Sequence, residues 1–149
     1  MSSEKFVVTE INDRVDMIHA FLIRIKVFVE EQKVPGTEEL DLEDLTAHHF
    51  LLTDKEKQIP CGTIRLTEDA DGQGILGRLC ILKEYRSLGL GKLLVNAVER
   101  KANELQYKKI RLHGQLYAEK FYTKCGYLKE DLPHFMECGI EHIHMVKFL

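Results

Sequence analysis

The sequence has few residues that break or bend the chain. Its 149 residues include only ten Gly and three Pro, whereas 44% are hydrophobic and 30% are charged. This ordinary composition excludes a disordered or fibrous chain. Because the length suits one folded unit and no repeat, low-complexity tract or linker interrupts it, we predict a single α+β domain over residues 1–149.

The sequence also lacks an excess of one charge and any long apolar run. The formal net charge is −3, which gives no global basic field for nucleic acid or anionic membranes, so neither is an expected partner. No apolar run approaches the roughly 18 residues of a membrane span. The amino terminus has no basic segment followed by an apolar one, and we expect no secretory signal.

Paired cysteines are absent as well. The four cysteines are Cys61, Cys80, Cys125 and Cys138. None forms a C-x-x-C pair, which argues against a zinc ribbon or a thioredoxin-type centre, and free thiols favour a cytoplasmic or nuclear location. Although His142 and His144 can share one face of a strand, no cysteine or carboxylate at ligand spacing accompanies them, so we expect no metal.

Hydrophobic spacing predicts the order of strands and helices. A first amphipathic helix is capped by Asn12 or Asp13 and ends before Pro35. Its apolar stripe, at three- and four-residue spacing, comprises Val15, Ile18, Leu22, Ile25 and Val29. The predicted strands cover residues 5–11, 48–53, 61–67, 75–82, 109–113 and 142–148, and two further helices cover residues 88–106 and 118–125.

An acidic stretch follows the first predicted helix. Its residues are Glu38, Glu39, Asp41, Glu43 and Asp44, and the stretch is too polar to be predicted as core. Two interpretations are open: an acidic mouth that favours a polycationic amine, or a solvated loop. Arg24, which stands within the apolar helix, is expected to pair with a carboxylate or to reach the surface.

The most informative segment joins a predicted apolar strand to a predicted helix. It contains Arg86-x-x-Gly89-x-Gly91 at the helix start, where free backbone N–H groups and the helix dipole attract an anion. Glycine lets phosphate oxygens approach the backbone, and Arg86 and Lys92 can add charge-assisted bonds. A Walker A loop does not fit, because neither Ser nor Thr follows Lys92. A dinucleotide fingerprint does not fit either, because its third glycine is missing.

This motif in this place resembles the coenzyme A signature of the GNAT superfamily, and the predicted order of elements is similar to that family over nearly the whole chain. The resemblance implies a mixed, mostly antiparallel sheet that splays between its fourth and fifth strands and is flanked by helices. It also implies acetyl-CoA as co-substrate, with strand backbone pairing with pantetheine and the glycine turn holding the pyrophosphate. The positions so assigned are Leu79, Cys80, Ile81, Arg86, Ser87, Leu88, Gly89, Leu90, Gly91, Lys92 and Gln115.

A closer resemblance is to the ElaA/YjcF-like subgroup of that superfamily. It rests on several unusual residues at fixed spacing in three segments. These segments are Arg24-x-x-Val27-Phe28-Val29-x-Glu31-Gln32-x-Val34-Pro35, then Glu39-x-Asp41 with His48, and Gly139-Ile140-x-His142-x-x-Met145. The resemblance to the subgroup does not name the acceptor substrate.

The resemblance assigns a catalytic role to Tyr122, which stands where many family members have a tyrosine that protonates the departing thiolate. Attack of a neutral amine on a thioester builds an oxyanion, which a strand N–H can stabilise, and then expels a thiolate that a phenol can protonate. The alternative for Tyr122 is a packed aromatic side chain. The neighbouring Phe121 is expected to point the other way, into the core.

The general base is less clearly indicated. Some family members use a glutamate where this chain has Ile110, so that assignment does not carry over. His113 and His142 are the available imidazoles, and we favour His142, with a structural or surface histidine as the alternative for each. Cys80 lies near the expected thioester path, but no histidine is matched to it, so direct transfer in a ternary complex is preferred to an acyl-cysteine.

Together these features predict an N-acetyltransferase that moves an acetyl group from acetyl-CoA to an amine. The alternative is a non-catalytic acyl-CoA-binding sensor, which would keep the glycine turn but would not need Tyr122. The acceptor amine, small molecule or peptide, stays open. A homodimer through edge strands stays open too.

Overall fold

Eight strands form a single mixed sheet within residues 5–149, the range that this computed structural model describes. The strands are β1 (Phe6–Glu10), β2 (His48–Asp54), β3 (Ile59–Glu68), β4 (Gly74–Ile81), β5 (Lys109–Gln115), β6 (Leu128–Lys129), β7 (Phe135–Glu137) and β8 (Ile140–Phe148). Their order across the sheet is β1-β2-β3-β4-β5-β8-β6, and β7 also pairs with β8. The six predicted strands are confirmed to within a few residues, and β6 and β7 were not predicted.

The sheet opens between β4 and β5. This pairing is the parallel one, and it lasts only from Gly74–Leu76 on β4 to Ile110–Leu112 on β5. Arg78, in the following part of β4, has a left-handed backbone with φ of 57°, beside a register shift between Thr63 and Arg65 on β3. Such a bulge increases the local twist and turns the strand away from its neighbour. The predicted splay is confirmed.

Four α-helices flank the sheet in the described range. They are α1 (Arg14–Arg24), α2 (Gly36–Glu39), α3 (Leu90–Glu104) and α4 (Glu119–Lys124). Asp13 caps α1 and accepts a hydrogen bond from the Asp16 N–H at 2.8 Å, as the sequence predicts. A seven-residue π-helix, Ile25–Glu31, continues α1 without interruption. None of the helices within residues 5–149 has the length and apolarity to cross a lipid bilayer.

The two long helices cover opposite faces of the sheet. Leu94 and Val98 of α3 are buried against the face that carries Phe50 and Leu52, whereas α1 packs on the face that carries Leu51. Alternate residues of β2 therefore serve two separate apolar clusters.

The apolar stripe predicted for α1 does not face the core. Val15, Ile18 and Leu22 are 65%, 57% and 57% exposed, and the buried face carries Ala20 and Ile23 in their place. Arg24 is on the same buried face, where its guanidinium contacts carboxylates. Ala20, Ile23 and Val27 repeat there at three- and four-residue spacing, so a second apolar stripe packs on the sheet in place of the predicted one.

Glu39 and Asp44 of the acidic stretch lie in a buried ionic cluster, which corrects for these two residues the expectation that the stretch is too polar for the core. Arg24 is 1% exposed, its Nε lies 2.9 Å from Glu39 Oε2 and its Nη1 lies 2.7 Å from Asp44 Oδ1. Arg65 of β3 also contacts Asp44 at 2.8 Å, and Arg78 contacts Glu39 at 3.1 Å. Three arginines thus compensate the buried carboxylates, so the predicted pairing of Arg24 with a carboxylate is confirmed.

Asp44 is a carboxylate that both Arg24 and Arg65 contact. Burial alone would raise the pKa of Asp44, but hydrogen bonds from Arg24 and the Asp41 N–H, with the charge of Arg24, lower it to about 2. A depressed carboxyl pKa adds stability that is present above the unfolded pKa and is lost as pH falls through the folded pKa.

We expect Asp44→Asn to lower the free energy of unfolding by about 3 kcal/mol at neutral pH, because it leaves buried arginine charge without its partner. The deficit should shrink between about pH 4 and pH 2, as the wild-type carboxyl is protonated. Urea denaturation between about pH 4 and pH 2, and at neutral pH, measures the stability deficit of the variant. Asp71→Asn is the matched control, because Asp71 is exposed. A deficit that stays constant with pH, or one equal to that of the control, would contradict the account.

Candidate active site

A cleft of about 590 Å³ lies where β4 and β5 separate. One wall is the end of β4 with the turn that follows it, and the other is the end of β5 with α4. The π-helix and the segment after it close one side, contributing Val27, Phe28 and Gln32. The volume lies within the range of roughly 300–1,000 Å³ that small-molecule and cofactor sites occupy.

The turn before α3 has the backbone of an anion site. Ser87 and Gly89 both have left-handed conformations, with φ of 66° and 75°, and Gly89 is the N-cap of α3 without a side-chain cap. Nothing lies within 4 Å of the position that a Gly89 Cβ would take, whereas a Gly91 Cβ would lie 3.1 Å from Phe121 Cζ. The free N–H groups of the first turn of α3 therefore meet open space at Gly89, and Gly91 permits close packing by Phe121.

Two charged residues of the motif are placed differently from the expectation. The Arg86 Nε donates to the Ile81 carbonyl at 2.9 Å, and its Nη2 lies 2.7 Å from Glu31 Oε1. Arg86 thus ties the turn to the π-helix instead of reaching freely towards an anion. Lys92 is exposed on α3, and neither it nor Leu88 lines the cleft. An anion at this turn would therefore meet backbone N–H groups more than these side chains.

The end of β4 presents its backbone to the cleft. Leu79, Cys80 and Ile81 line it, in the part of β4 that β5 no longer pairs with. The opposite edge of β4 is already paired with a neighbouring strand, because Cys80 pairs with Thr63 of β3. The Cys80 thiol is buried, and burial raises its pKa, so it stays neutral.

Tyr122 of α4 reaches the same cleft from the opposite wall. Its side chain is 7% exposed and lines the cleft, and burial, with a smaller effect of Tyr117, raises the pKa of its hydroxyl. That hydroxyl makes no hydrogen bond to any residue in the range 5–149. Phe121 also lines the cleft, at Gly91, so it does not point wholly into the core as expected.

The two candidate imidazoles both line the cleft. His142 Nδ1 lies 2.7 Å from the Ile140 carbonyl oxygen. Because a carbonyl can only accept, Nδ1 carries a proton, and in the neutral imidazole the lone pair is therefore on Nε2. His142 also stacks on Phe135 with ring centroids 5.4 Å apart. The ring centroids of His113 and His144 lie 4.7 Å apart. Partial burial of His113, with the neighbouring imidazole, lowers the pKa of His113.

Gln115 has a partner that sequence reasoning missed. Its Nε2 donates to Gln32 Oε1 at 2.8 Å, while its own Oε1 is buried and has no hydrogen-bond partner within residues 5–149. A buried acceptor without a partner costs roughly 1–3 kcal/mol. Gln32 belongs to the Arg24–Pro35 segment that marks the subgroup, and this was the one signal that could have drawn attention to it.

The acidic stretch contributes little free charge to the cleft. Glu38 and Glu39 line it, but Glu39 is held by the buried arginines. Glu38 accepts a hydrogen bond from the Cys138 thiol at 2.8 Å, which raises the pKa of Cys138 to about 11. Neither the acidic mouth nor the solvated loop describes the whole stretch. Within residues 5–149 no group of three or more His, Cys, Asp or Glu side chains could hold a metal ion.

Known proteins are similar to this chain in both sequence and fold. The family profile described as acetyltransferase (GNAT) domain matches residues 23–149. YjcF of Bacillus subtilis, an uncharacterized N-acetyltransferase, is 38% identical over 128 residues, which cover 86% of this chain and 89% of YjcF. A candidate N-acetyltransferase from Lactobacillus plantarum superposes with a TM-score of 0.87 at 30% identity, covering 97% of this chain and 98% of its own. ElaA of Escherichia coli shares the fold, with a TM-score of 0.82 at 22% identity over 95% of this chain and 99% of its own.

We expect Gly89→Asp to abolish coenzyme A binding, because it sets a carboxylate where phosphate would approach the start of α3. Gly72→Asp is the matched control, since Gly72 has φ of 74° and equally open space at the position that a Cβ would take. Each variant should lose about 1 kcal/mol of stability from backbone strain. Isothermal titration calorimetry measures the affinity of both variants for coenzyme A, and we expect only Gly72→Asp to bind. Coenzyme A affinity that survives Gly89→Asp would contradict this placement of the anion site.

Proposed function

Because the chain belongs to the GNAT acetyltransferase family, in the subgroup of ElaA and YjcF, we propose that it transfers an acetyl group from acetyl-CoA directly to an amine. The observation that carries the proposal is that one cleft contains both an uncapped helix start and a buried tyrosine whose hydroxyl has no partner in the described range. A module that only binds acyl-CoA needs the uncapped helix start, whereas acyl transfer also needs a proton donor such as the tyrosine.

The residues of the cleft fit the parts of the coenzyme. The turn from Arg86 to Lys92 would hold the pyrophosphate through backbone N–H groups at the start of α3. The exposed backbone of Leu79, Cys80 and Ile81 would pair with the pantetheine arm as an added strand does. Gln115, whose Oε1 has no partner in the described range, would accept from the coenzyme. When bound, acetyl-CoA supplies a thioester whose carbonyl carbon bonds to the amine nitrogen as the carbon–sulfur bond breaks.

We assign the general acid to Tyr122. Its raised pKa keeps the hydroxyl protonated at neutral pH, so the proton is available when a thiolate leaves. The hydroxyl has no competing acceptor among residues 5–149, and its position opposite the β4 backbone is consistent with a leaving group between the two walls. Hydrogen bonding from backbone N–H groups of β4 would stabilise the oxyanion.

We assign the general base to His142. Its Nδ1 donates to the Ile140 carbonyl, so in the neutral imidazole the lone pair of Nε2 would accept the proton from the amine. Stacking on Phe135 restrains the ring, and a restrained base loses less freedom in the transition state. His113 is the competing candidate, because it also lines the cleft.

Direct transfer is favoured over an acyl-cysteine intermediate. The only cysteine on the β4 wall is Cys80, and burial keeps its thiol neutral and unreactive. The thiols of the described range are all free, and the cytoplasmic location stays a prediction from the sequence. The acceptor amine and a homodimer through edge strands stay predictions.

We expect Tyr122→Phe to lower kcat by about a hundredfold while coenzyme A affinity stays near that of the wild type, since only a proton donor is lost. Tyr107→Phe is the control, because the Tyr107 hydroxyl bonds Glu68 outside this cleft. Steady-state kinetics and calorimetry provide the two readouts. Equal loss of turnover and of affinity would instead assign Tyr122 a packing role.

Replacing His142 by Gln should reduce kcat/KM for the amine by about a hundredfold, because the neutral amine is no longer generated in the site. His134→Gln serves as the control, since His134 bonds Glu141 outside the cleft. His113→Gln tests the competing base in the same assay. A larger loss in His113→Gln than in His142→Gln would overturn this assignment.

A further inference from the structure

The segment that marks the subgroup touches both walls of the cleft, and the reaction described so far does not use it. Glu31 contacts Arg86 on the β4 side at 2.7 Å, and Gln32 contacts Gln115 on the β5 side at 2.8 Å. These adjacent residues bridge the two strands that the splay separates.

We propose that Gln32 is a positioning residue: it holds the Gln115 amide with its carbonyl oxygen facing the cleft, where that oxygen accepts a hydrogen bond from an N–H of the pantetheine arm. This inference rests on the proposed function, because it takes coenzyme A as the ligand of the cleft.

The hydrogen bonds of the two amides run in one direction. Gln115 Nε2 donates to Gln32 Oε1 at 2.8 Å, and Gln32 Nε2 donates to the Tyr117 hydroxyl at 3.4 Å. An amide nitrogen only donates and an amide oxygen only accepts. The contact with Gln32 therefore occupies the nitrogen of Gln115 and leaves its oxygen on the other side.

The side-chain oxygen of Gln115 lacks a hydrogen-bond donor. It is buried and has no hydrogen-bond partner among residues 5–149, so an N–H brought by a ligand would remove the cost of that burial. Two sources of such an N–H exist, the amides of pantetheine and the acceptor amine. Gln115 is the last residue of β5 and faces the end of β4 across the cleft, where the pantetheine arm would lie, and this favours the coenzyme.

The π-helix places Gln32 for this contact. The Gln32 N–H bonds the Val27 carbonyl, five residues back, so this stretch is wound more widely than an α-helix. Lys33 then ends the helix with a left-handed φ of 64°. π-Helical turns within α-helices frequently occur at functional sites, and here Gln32 lines the cleft.

The test is calorimetric binding of coenzyme A and of its fragment 3′-phospho-ADP, which lacks pantetheine. Gln32→Met should weaken coenzyme A binding about tenfold, the value of one hydrogen bond, and leave fragment binding unchanged. Gln32→Glu should retain wild-type affinity, because a carboxylate oxygen still accepts from Gln115 Nε2. The double variant with Gln115→Met should bind coenzyme A no more weakly than Gln115→Met alone, since both changes remove the same contact.

Three results would overturn the inference. Equal weakening of coenzyme A and fragment binding in Gln32→Met would mean that Gln32 only supports the fold. Unchanged coenzyme A binding with a raised KM for the amine would assign the oxygen to the acceptor. Additive losses in the double variant would show that Gln32 and Gln115 act independently. Wild-type protein that binds neither ligand would instead contradict the proposed function itself.

Discussion

The parallel pairing of β4 with β5 lasts for three residue pairs, and every feature of the candidate site depends on the separation that follows it. If the pairing continued, hydrogen bonds to β5 would fill the backbone edge of Leu79, Cys80 and Ile81. Because it stops, that edge becomes one wall of a cleft and α4 brings Tyr122 to the other. The glycine turn before α3 then opens into the same space.

The buried ionic cluster braces the same region. Arg78, at the bulge where β4 turns away, contacts Glu39, and Glu39 also holds Arg24 of the first helix. Burying these charges is costly unless each one is paired, so the cluster restricts how the helix, the acidic stretch and β4 can sit together. Directly after that helix, Glu31 and Gln32 contact the two walls. The contacts that stabilise the fold in this region therefore also restrict the geometry of the cleft.

Local patterns were sufficient to predict the order of the long elements and the glycine turn. Asp13 and the Arg86–Gly91 motif act through residues that are neighbours in sequence, and both were placed correctly on their helices. β6 and β7 were missed because they have two and three residues and are defined only by pairing with β8. Such pairing is a tertiary contact that leaves no periodicity in a single sequence.

The errors have a common physical cause. Periodicity predicted a stripe through Val15, Ile18 and Leu22, but the helix buries the face that carries Ala20, Ile23 and Arg24. Polarity placed Asp44 outside the core, yet arginines from distant segments neutralise it. In both regions the buried ion pairs join segments that are far apart in sequence, and the partner could not be identified from spacing alone.

The most direct test of the account is release of free thiol from acetyl-CoA by the purified protein, with a panel of polyamines, amino sugars, amino acids and basic peptides. We expect saturable release that at least one class of amine stimulates, since Tyr122 and the imidazoles line one cleft. Tight binding of acetyl-CoA without stimulation by any amine of the panel would favour an acyl-CoA sensor or an acceptor outside the panel. Absence of binding would contradict the assignment of the cleft itself.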